Sequence, residues 1–214
     1  MTNIANRIKA LGLLRWIYLI SLVIASASFI LIFIALALGS EYQFTEPGGV
    51  TYYVLTLILS IAHFVVIVLI AATFILTFRL NIECRISFFI GIGAAVLSIA
   101  SGIMVVVPGA AYTGLIIAMI SDLLITAALF ALIDGIFEKQ ARGTPLFKFA
   151  MLGMCLNVVY TVFSFVTSVF RLNEAFNAVL YTIGAVCYIL SSLIIFMSLN
   201  SSLKEIKRYQ ESEA

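Results

Sequence analysis

Two side chains that can exchange protons lie in the middle of long apolar stretches of this chain. His63 is the only histidine, and Asp122 is the only carboxylate far from both ends of an apolar stretch. An imidazole and a carboxyl can share a proton, or hold a polar solute through charge and hydrogen bonds. Ionisable residues within a membrane commonly mark pathways for protons, ions or substrates. The pair is therefore the first candidate for a functional site.

The spacing from outer tyrosines predicts that three polar residues share one depth. Each lies ten residues after a tyrosine, in the pairs Tyr53 and His63, Tyr112 and Asp122, and Tyr181 and Ser191. Ten helical residues rise about 15 Å, half of a hydrocarbon layer of ~30 Å, so all three are expected near the midplane. The recurrence also suggests three helical hairpins in series, as in membrane folds built from repeats.

Polar side chains also recur at helical spacing, which predicts one polar face on each of several helices. These polar faces predict a polar cavity in the outer half of the membrane, the half away from the basic residues named below. Its predicted substrate-binding residues are His63, Asp122, Asn157, Ser60, Thr56, Thr161 and Ser191, with Ser164, Tyr181 and Tyr188 on the same faces.

A purely structural interpretation of the same residues stays open. Serine and threonine in a helix often bond the carbonyl oxygen four residues earlier and need no cavity. A buried histidine–aspartate link can equally order helix packing, and interhelical hydrogen bonds average about 0.6 kcal/mol in measured membrane proteins.

Six apolar stretches must position these side chains, and each is long enough to cross a bilayer as a helix. They cover residues 16–39, 51–78, 87–107, 111–137, 147–170 and 177–199. When the connections are assigned alternately to the two sides, one side holds Arg7, Lys9, Arg15, Arg79, Arg85, Lys139, Arg142, Lys148, Lys204, Lys207 and Arg208, and the other holds only Arg171. Because positive loops stay in the cytoplasm, the sequence predicts six spans with both termini cytoplasmic, in the cell membrane.

Composition excludes a soluble domain and several functional classes. Hydrophobic residues make up 64% of the chain and charged residues 10%, and the mean hydropathy is +1.20. The net charge of +2 comes from residues that flank helices, so it gives no sign of nucleic-acid binding. We assign no catalytic residues, because no nucleophile signature accompanies the serine, histidine and aspartate. We assign no metal or cofactor either, since ligand spacing is lacking and one histidine poorly supports haem.

Small residues and breakers predict how the helices meet. Gly91, Ala95, Ser98 and Gly102 place small side chains on one face of the third stretch, where we expect buried helix contacts. Pro108-Gly109 predicts a tight turn between the third and fourth stretches. Gly143-Thr144-Pro145 predicts a break before the fifth.

The sequence therefore predicts an all-α bundle formed by one transmembrane domain, residues 1–214, with a short cytoplasmic tail at 200–214. Its leading functional hypothesis is the binding or transport of a small polar solute or proton through a cavity that ends at His63 and Asp122. A homo-oligomer or a larger membrane partner fits the small size of the bundle. The alternative is a non-catalytic accessory, assembly or regulatory subunit that acts through partner contacts in the bilayer.

Overall fold

The chain folds into a bundle of long helices. The computed structural model describes residues 2–38, 50–107, 109–137, 143–170 and 173–212, and no strand occurs within these ranges. The helices are α1 (Thr2–Leu38), α2 (Val50–Thr77), α3 (Ile82–Val106), α4 (Ala111–Ile136), α5 (Pro145–Val169) and α6 (Glu174–Ser212). The predicted all-α fold is confirmed for these ranges.

Five helices are long and apolar enough to cross a membrane. Their apolar segments are Ala5–Ala27, Ile82–Met104, Tyr112–Ile136, Pro145–Thr167 and Phe176–Ile206. In α2 the apolar segment with described side chains, Val65–Thr77, is shorter than a span. Large aliphatic side chains cover the outer surface, as on α3, where Ile99 is 67% exposed. Such a surface suits lipid rather than water.

Local sequence sets the start of α3 and α5. The Asn81 side chain accepts a hydrogen bond from the backbone N–H of Cys84 at 2.9 Å, so it caps α3. Its amide also donates to the Gly135 carbonyl, which ties the start of α3 to the end of α4. Thr144 caps α5, and Pro145 follows at the first helical position, where a missing N–H costs nothing. The predicted break before the fifth stretch is thus confirmed.

The described part of the connection between α3 and α4 is a tight turn at the predicted place, and Pro108 lies outside the described residues. The Ala110 N–H donates to the Val107 carbonyl oxygen at 3.1 Å. Gly109 has a φ of 80°, a conformation that glycine adopts without steric cost. The two helices pack together more extensively than any other pair of described helices.

Three serine hydroxyls join α3 and α4 at seven-residue intervals. Ser121 donates to the Ala94 carbonyl at 2.8 Å, Ser101 donates to Gly114 at 2.9 Å, and Ser87 donates to Ala128. All three serines are buried. Small side chains at this spacing allow close approach of two helices in a left-handed crossing. We call this line of contacts the serine seam.

The seam corrects the small-residue face predicted for the third stretch. Ala95, Ser98 and Gly102 are exposed, so they form no buried contact within the described chain. Gly91 does meet a neighbour, since a Cβ there would lie 2.7 Å from the Phe74 ring on α2. Small residues occur on more than one face of α3, so spacing alone could not select the face that carries the interhelical hydrogen bonds.

The remaining helices close the bundle around a core at one end. α5 packs against α6, α1 packs against α6 and α2, and a smaller contact joins α4 to α5. We call the end that carries Arg7, Lys9, Lys148 and Lys204 the basic end. The hydrophobic core lies in that half, with fully buried side chains Leu14, Leu132, Ile133, Met154, Ile195 and Leu199. The two halves of the bundle therefore differ, because the other half encloses the space described next.

Candidate functional site

A cavity of about 390 Å³ lies between α1, α2, α4, α5 and α6, and we call it the central cavity. Small-molecule sites commonly enclose about 300–1,000 Å³, so its size suits a small solute. Its lining residues are Ser21, Ile24, Ala25, Val66, Asp122, Ile125, Thr126, Asn157, Tyr160, Thr161, Ser164, Tyr181, Ala185 and Tyr188. Hydroxyl, amide and carboxyl groups from four of the five helices therefore face one space.

Three of the predicted site residues line this cavity. Asp122 is exposed to it from α4, while Asn157 and Thr161 line it from α5. The Thr161 hydroxyl donates to the Asn157 carbonyl at 3.0 Å, which is the bond to the fourth preceding residue expected from a purely structural role. That bond uses the proton of the hydroxyl and leaves its oxygen able to accept a hydrogen bond from a solute.

Asp122 dominates the electrostatics of the central cavity. Among the described residues that line it, Asp122 alone can carry a charge at neutral pH, and none is basic. Where side chains are described, no Lys or Arg pairs with this carboxylate, and the side chain of His63 lies outside the described residues. A lone carboxylate in a membrane span is costly, at about 3 kcal/mol on insertion scales. The cavity supplies the polar space that such a group needs.

Tyrosines form one wall of the cavity. The rings of Tyr160 on α5 and Tyr188 on α6 lie 4.6 Å apart between centroids, with planes tilted by 34°. Ser21 of α1 lies within hydrogen-bonding reach of the Tyr188 phenol. Tyr181, two turns before Tyr188, also lines the cavity and is 45% exposed. The wall therefore runs from the middle of α6 toward its start, away from the basic end.

A smaller side pocket adjoins the cavity between α4 and α5. Its volume is about 90 Å³, and its lining residues are Leu115, Ala118, Met119, Asp122, Thr161, Ser164 and Phe165. Asp122, Thr161 and Ser164 belong to both spaces, so they form the boundary between them. Asp122 therefore has the tyrosine-lined cavity on one side and, on the other, a small pocket to which four apolar side chains contribute.

The floor of the cavity is closed toward the basic end. The Tyr18 hydroxyl of α1 donates to the sulfur of Met154 on α5 at 3.2 Å, and both side chains are buried. Ser21 and Asn157, each three residues further along its helix, line the cavity directly above this contact. Below it lies the hydrophobic core.

The other predicted site residues are placed differently or lie outside the described side chains. Ser191 is 1% exposed and does not line the central cavity. Its backbone carbonyl instead faces Gly153 at the contact between α5 and α6. The side chains of Thr56, Ser60 and His63 lie outside the described residues, although their backbone belongs to α2.

Sequence reasoning missed some of the lining residues. Ser21 was not selected, although it precedes Ala25 by one helical turn on the same face of α1. Thr126 was missed as well, and its hydroxyl donates to the Asp122 carbonyl at 2.9 Å.

In the ranges with described side chains, no group of three or more His, Cys, Asp or Glu residues could hold a metal ion.

The fold and the cavity together are consistent with a multi-pass helical membrane protein, because the helices are apolar enough to span a bilayer. Comparison with protein families, curated proteins and solved structures found no match to this chain. Its function must therefore be argued from the cavity itself.

Proposed function

We propose that the protein binds a small polar solute or a proton in the central cavity and moves it across the cell membrane. The observation that carries this proposal is the cavity of about 390 Å³, whose described lining places one carboxylate, that of Asp122, among hydroxyl and amide groups. Polar groups gathered around one space inside apolar helices require either water or a ligand.

In this proposal the chain crosses the membrane six times, because α2 spans it in addition to the five long apolar helices. Both termini then lie in the cytoplasm. The distribution of basic residues supports this threading, because eleven of the twelve fall on the side assigned to the cytoplasm. The basic end then faces the cytoplasm and the packed core closes the cavity on that side. The cavity is accessible from the outer side in this state.

In the proposed mechanism Asp122 exchanges a proton with the bound solute. Asn157 and Thr161 supply hydrogen bonds that orient the solute beside the carboxyl. His63, predicted at the same depth on α2, stabilises the ionised carboxylate. Movement of the solute to the other side requires the contact between Tyr18 and Met154, or its neighbours in the hydrophobic core, to open, since these close the cavity toward the basic end.

Cysteine accessibility tests whether the cavity is wet. In a background with Cys84, Cys155 and Cys187 replaced by alanine, single cysteines at Asn157, Thr161 and Ser164 should react with an impermeant thiol reagent added from outside. A cysteine at Val162, which is 44% exposed on the outer surface of α5, should not react, because a thiol in hydrocarbon stays protonated. Equal protection at all four positions would contradict the proposal.

A membrane subunit without transport activity is the second candidate, and the exposed face of α3 favours it. Ala95, Ser98 and Gly102 lie on that face, where small side chains permit close approach of a partner helix. Asp122→Asn separates the two functions. It should abolish solute uptake or proton coupling in a transporter, whereas a partner-binding subunit should retain its activity and co-purify with a stoichiometric partner.

A further inference from the structure

We infer that the central cavity selects a small organic cation that carries a short apolar group. This inference rests on the proposed function, because it assumes that the central cavity is a ligand site. It adds the chemical class of the ligand, and three features of the site carry it.

The first feature is charge. Asp122 is the one residue of the described lining that can be anionic at neutral pH, and no basic side chain among the lining residues opposes it. In a site of low dielectric constant, a cationic ligand neutralises this carboxylate, whereas an anionic ligand places two like charges together. A neutral ligand adds no positive charge beside the carboxylate, so it gains none of this attraction. The cavity therefore favours cations over the other two charge classes.

The second feature is the tyrosine wall. Tyr160, Tyr181 and Tyr188 supply three aromatic rings to a cavity that also contains the carboxylate. Asp122 and Tyr160 are close enough to interact electrostatically. The faces of aromatic rings attract cations, and alkylated ammonium groups are bound by cages of aromatic rings in this way. The wall and the carboxylate thus favour the same ligand charge.

The third feature is the side pocket. Its volume of about 90 Å³ corresponds to roughly three water molecules, which is room for a short alkyl group. Its apolar lining comes from Leu115, Ala118, Met119 and Phe165, and Asp122 stands at its boundary with the central cavity. A ligand whose cationic group lies between the tyrosines and Asp122 can place an alkyl group in this pocket.

Calorimetric titration of the full chain in lipid nanodiscs tests the inference with four probes. Butyltrimethylammonium has both the charge and the alkyl group, and tetramethylammonium has only the charge. Neopentyl alcohol is a neutral molecule whose branched shape is similar to that of tetramethylammonium. Butyrate is an anion with an alkyl group. Butyltrimethylammonium should bind most tightly, tetramethylammonium less tightly, and the alcohol and butyrate at least roughly tenfold more weakly than butyltrimethylammonium.

Substitutions test how each of the three features contributes to the preference for alkylated cations. Asp122→Asn should lower the affinity for both cations at least about tenfold, and Asp122→Glu should restore part of it. Tyr160→Leu should weaken cation binding more than Tyr160→Phe does, because phenylalanine retains an aromatic face. Ala118→Leu fills the side pocket, so it should weaken binding of butyltrimethylammonium more than of tetramethylammonium. Val162→Ala, on the outer surface of α5, is the matched control and should bind like the parent chain.

The outcomes separate this inference from the proposed function. Stronger binding of neopentyl alcohol or butyrate than of the cations overturns the inference and leaves solute binding intact. Cation affinity that survives Asp122→Asn, in protein with an unchanged elution profile, overturns it too. If none of the four probes binds, the inference is overturned. If, in addition, the cysteines in the cavity are protected from the impermeant reagent, the proposed function is overturned as well.

Discussion

The hydroxyl of Tyr18 donates a hydrogen bond to the sulfur of Met154 across 3.2 Å, which joins α1 to α5 directly below the central cavity. Tyr18 is 5% exposed and Met154 is 0% exposed, so the contact belongs to the core as much as to the cavity. A passage from the cavity to the basic end must open this contact or its neighbours in the core. The closed floor thus includes a specific contact between two helices.

Replacement of Tyr18 separates the hydrogen bond from the packing of the ring. Tyr18→Phe keeps the ring and loses only a bond to a weak acceptor, so we expect a loss of about 1 kcal/mol or less in the free energy of unfolding. Tyr18→Ala removes the ring and leaves a void, for which about 3–5 kcal/mol is typical. Denaturant unfolding of the purified protein in micelles measures both changes. Equal losses in the two variants would show that the hydroxyl, and not the ring, holds the floor.

The serine seam should respond weakly to removal of one hydroxyl. Ser121→Ala deletes the bond to the Ala94 carbonyl, and we expect a loss of about 0.6 kcal/mol, with about 1.7 kcal/mol as the upper bound from comparable membrane proteins. Ser98→Ala is the control, because Ser98 is exposed on the same helix pair. The unfolding midpoint of Ser121→Ala should therefore be lower than that of Ser98→Ala. The seam contributes nothing to stability if the two midpoints coincide.

Close approach of α5 and α6 depends on Gly153. A Cβ at this position would overlap the Ile195 side chain and lie 3.1 Å from the Ser191 carbonyl oxygen. Gly153→Ala should therefore destabilise the protein by about 1–3 kcal/mol, a cost that exceeds the gain of up to about 1 kcal/mol from replacing glycine within a helix.

Gly93→Ala is the matched control for this substitution. A Cβ at Gly93 meets nothing within 4 Å, so only the helix gain applies and stability should rise or stay level. Thermal unfolding of the two variants in the same detergent gives the comparison. A stable Gly153→Ala variant would falsify the close contact between α5 and α6.

Hydropathy predicted the helices well, but their ends depend on side chains that hydropathy does not evaluate. The fourth stretch was predicted at 111–137, and α4 covers Ala111–Ile136. The third was predicted to begin at residue 87, yet α3 begins at Ile82, because Asn81 provides a cap ahead of the polar residues Glu83 and Arg85. Capping is a local hydrogen bond, and an apolar run contains no information about it.

Polar faces on individual helices predicted part of the central cavity, but neighbouring helices determine the rest. Asn157, Thr161 and Tyr188 could be selected because each lies on a polar face of its own helix. The side pocket could not be predicted, since it is a gap between α4 and α5 lined mainly by residues with no polar signal. Ser191 shows the opposite case, because it lies three residues beyond Tyr188, where α6 packs against α5 at Gly153 and the central cavity no longer separates the helices.

The number of spans can be tested by comparing the two ends of the chain. Six spans place both ends on the cytoplasmic side, whereas five spans, with α2 outside the membrane, place them on opposite sides. In the cysteine-free background, Lys9→Cys and Lys204→Cys should both be protected from an impermeant thiol reagent in intact cells. Both should react after permeabilisation, because their side chains are exposed. Thr113→Cys, exposed near the start of α4, should react in intact cells and serves as the outer reference. Reaction of only one of the two lysine positions in intact cells would exclude an even number of spans, while reaction of both would reverse the threading that the basic residues predict.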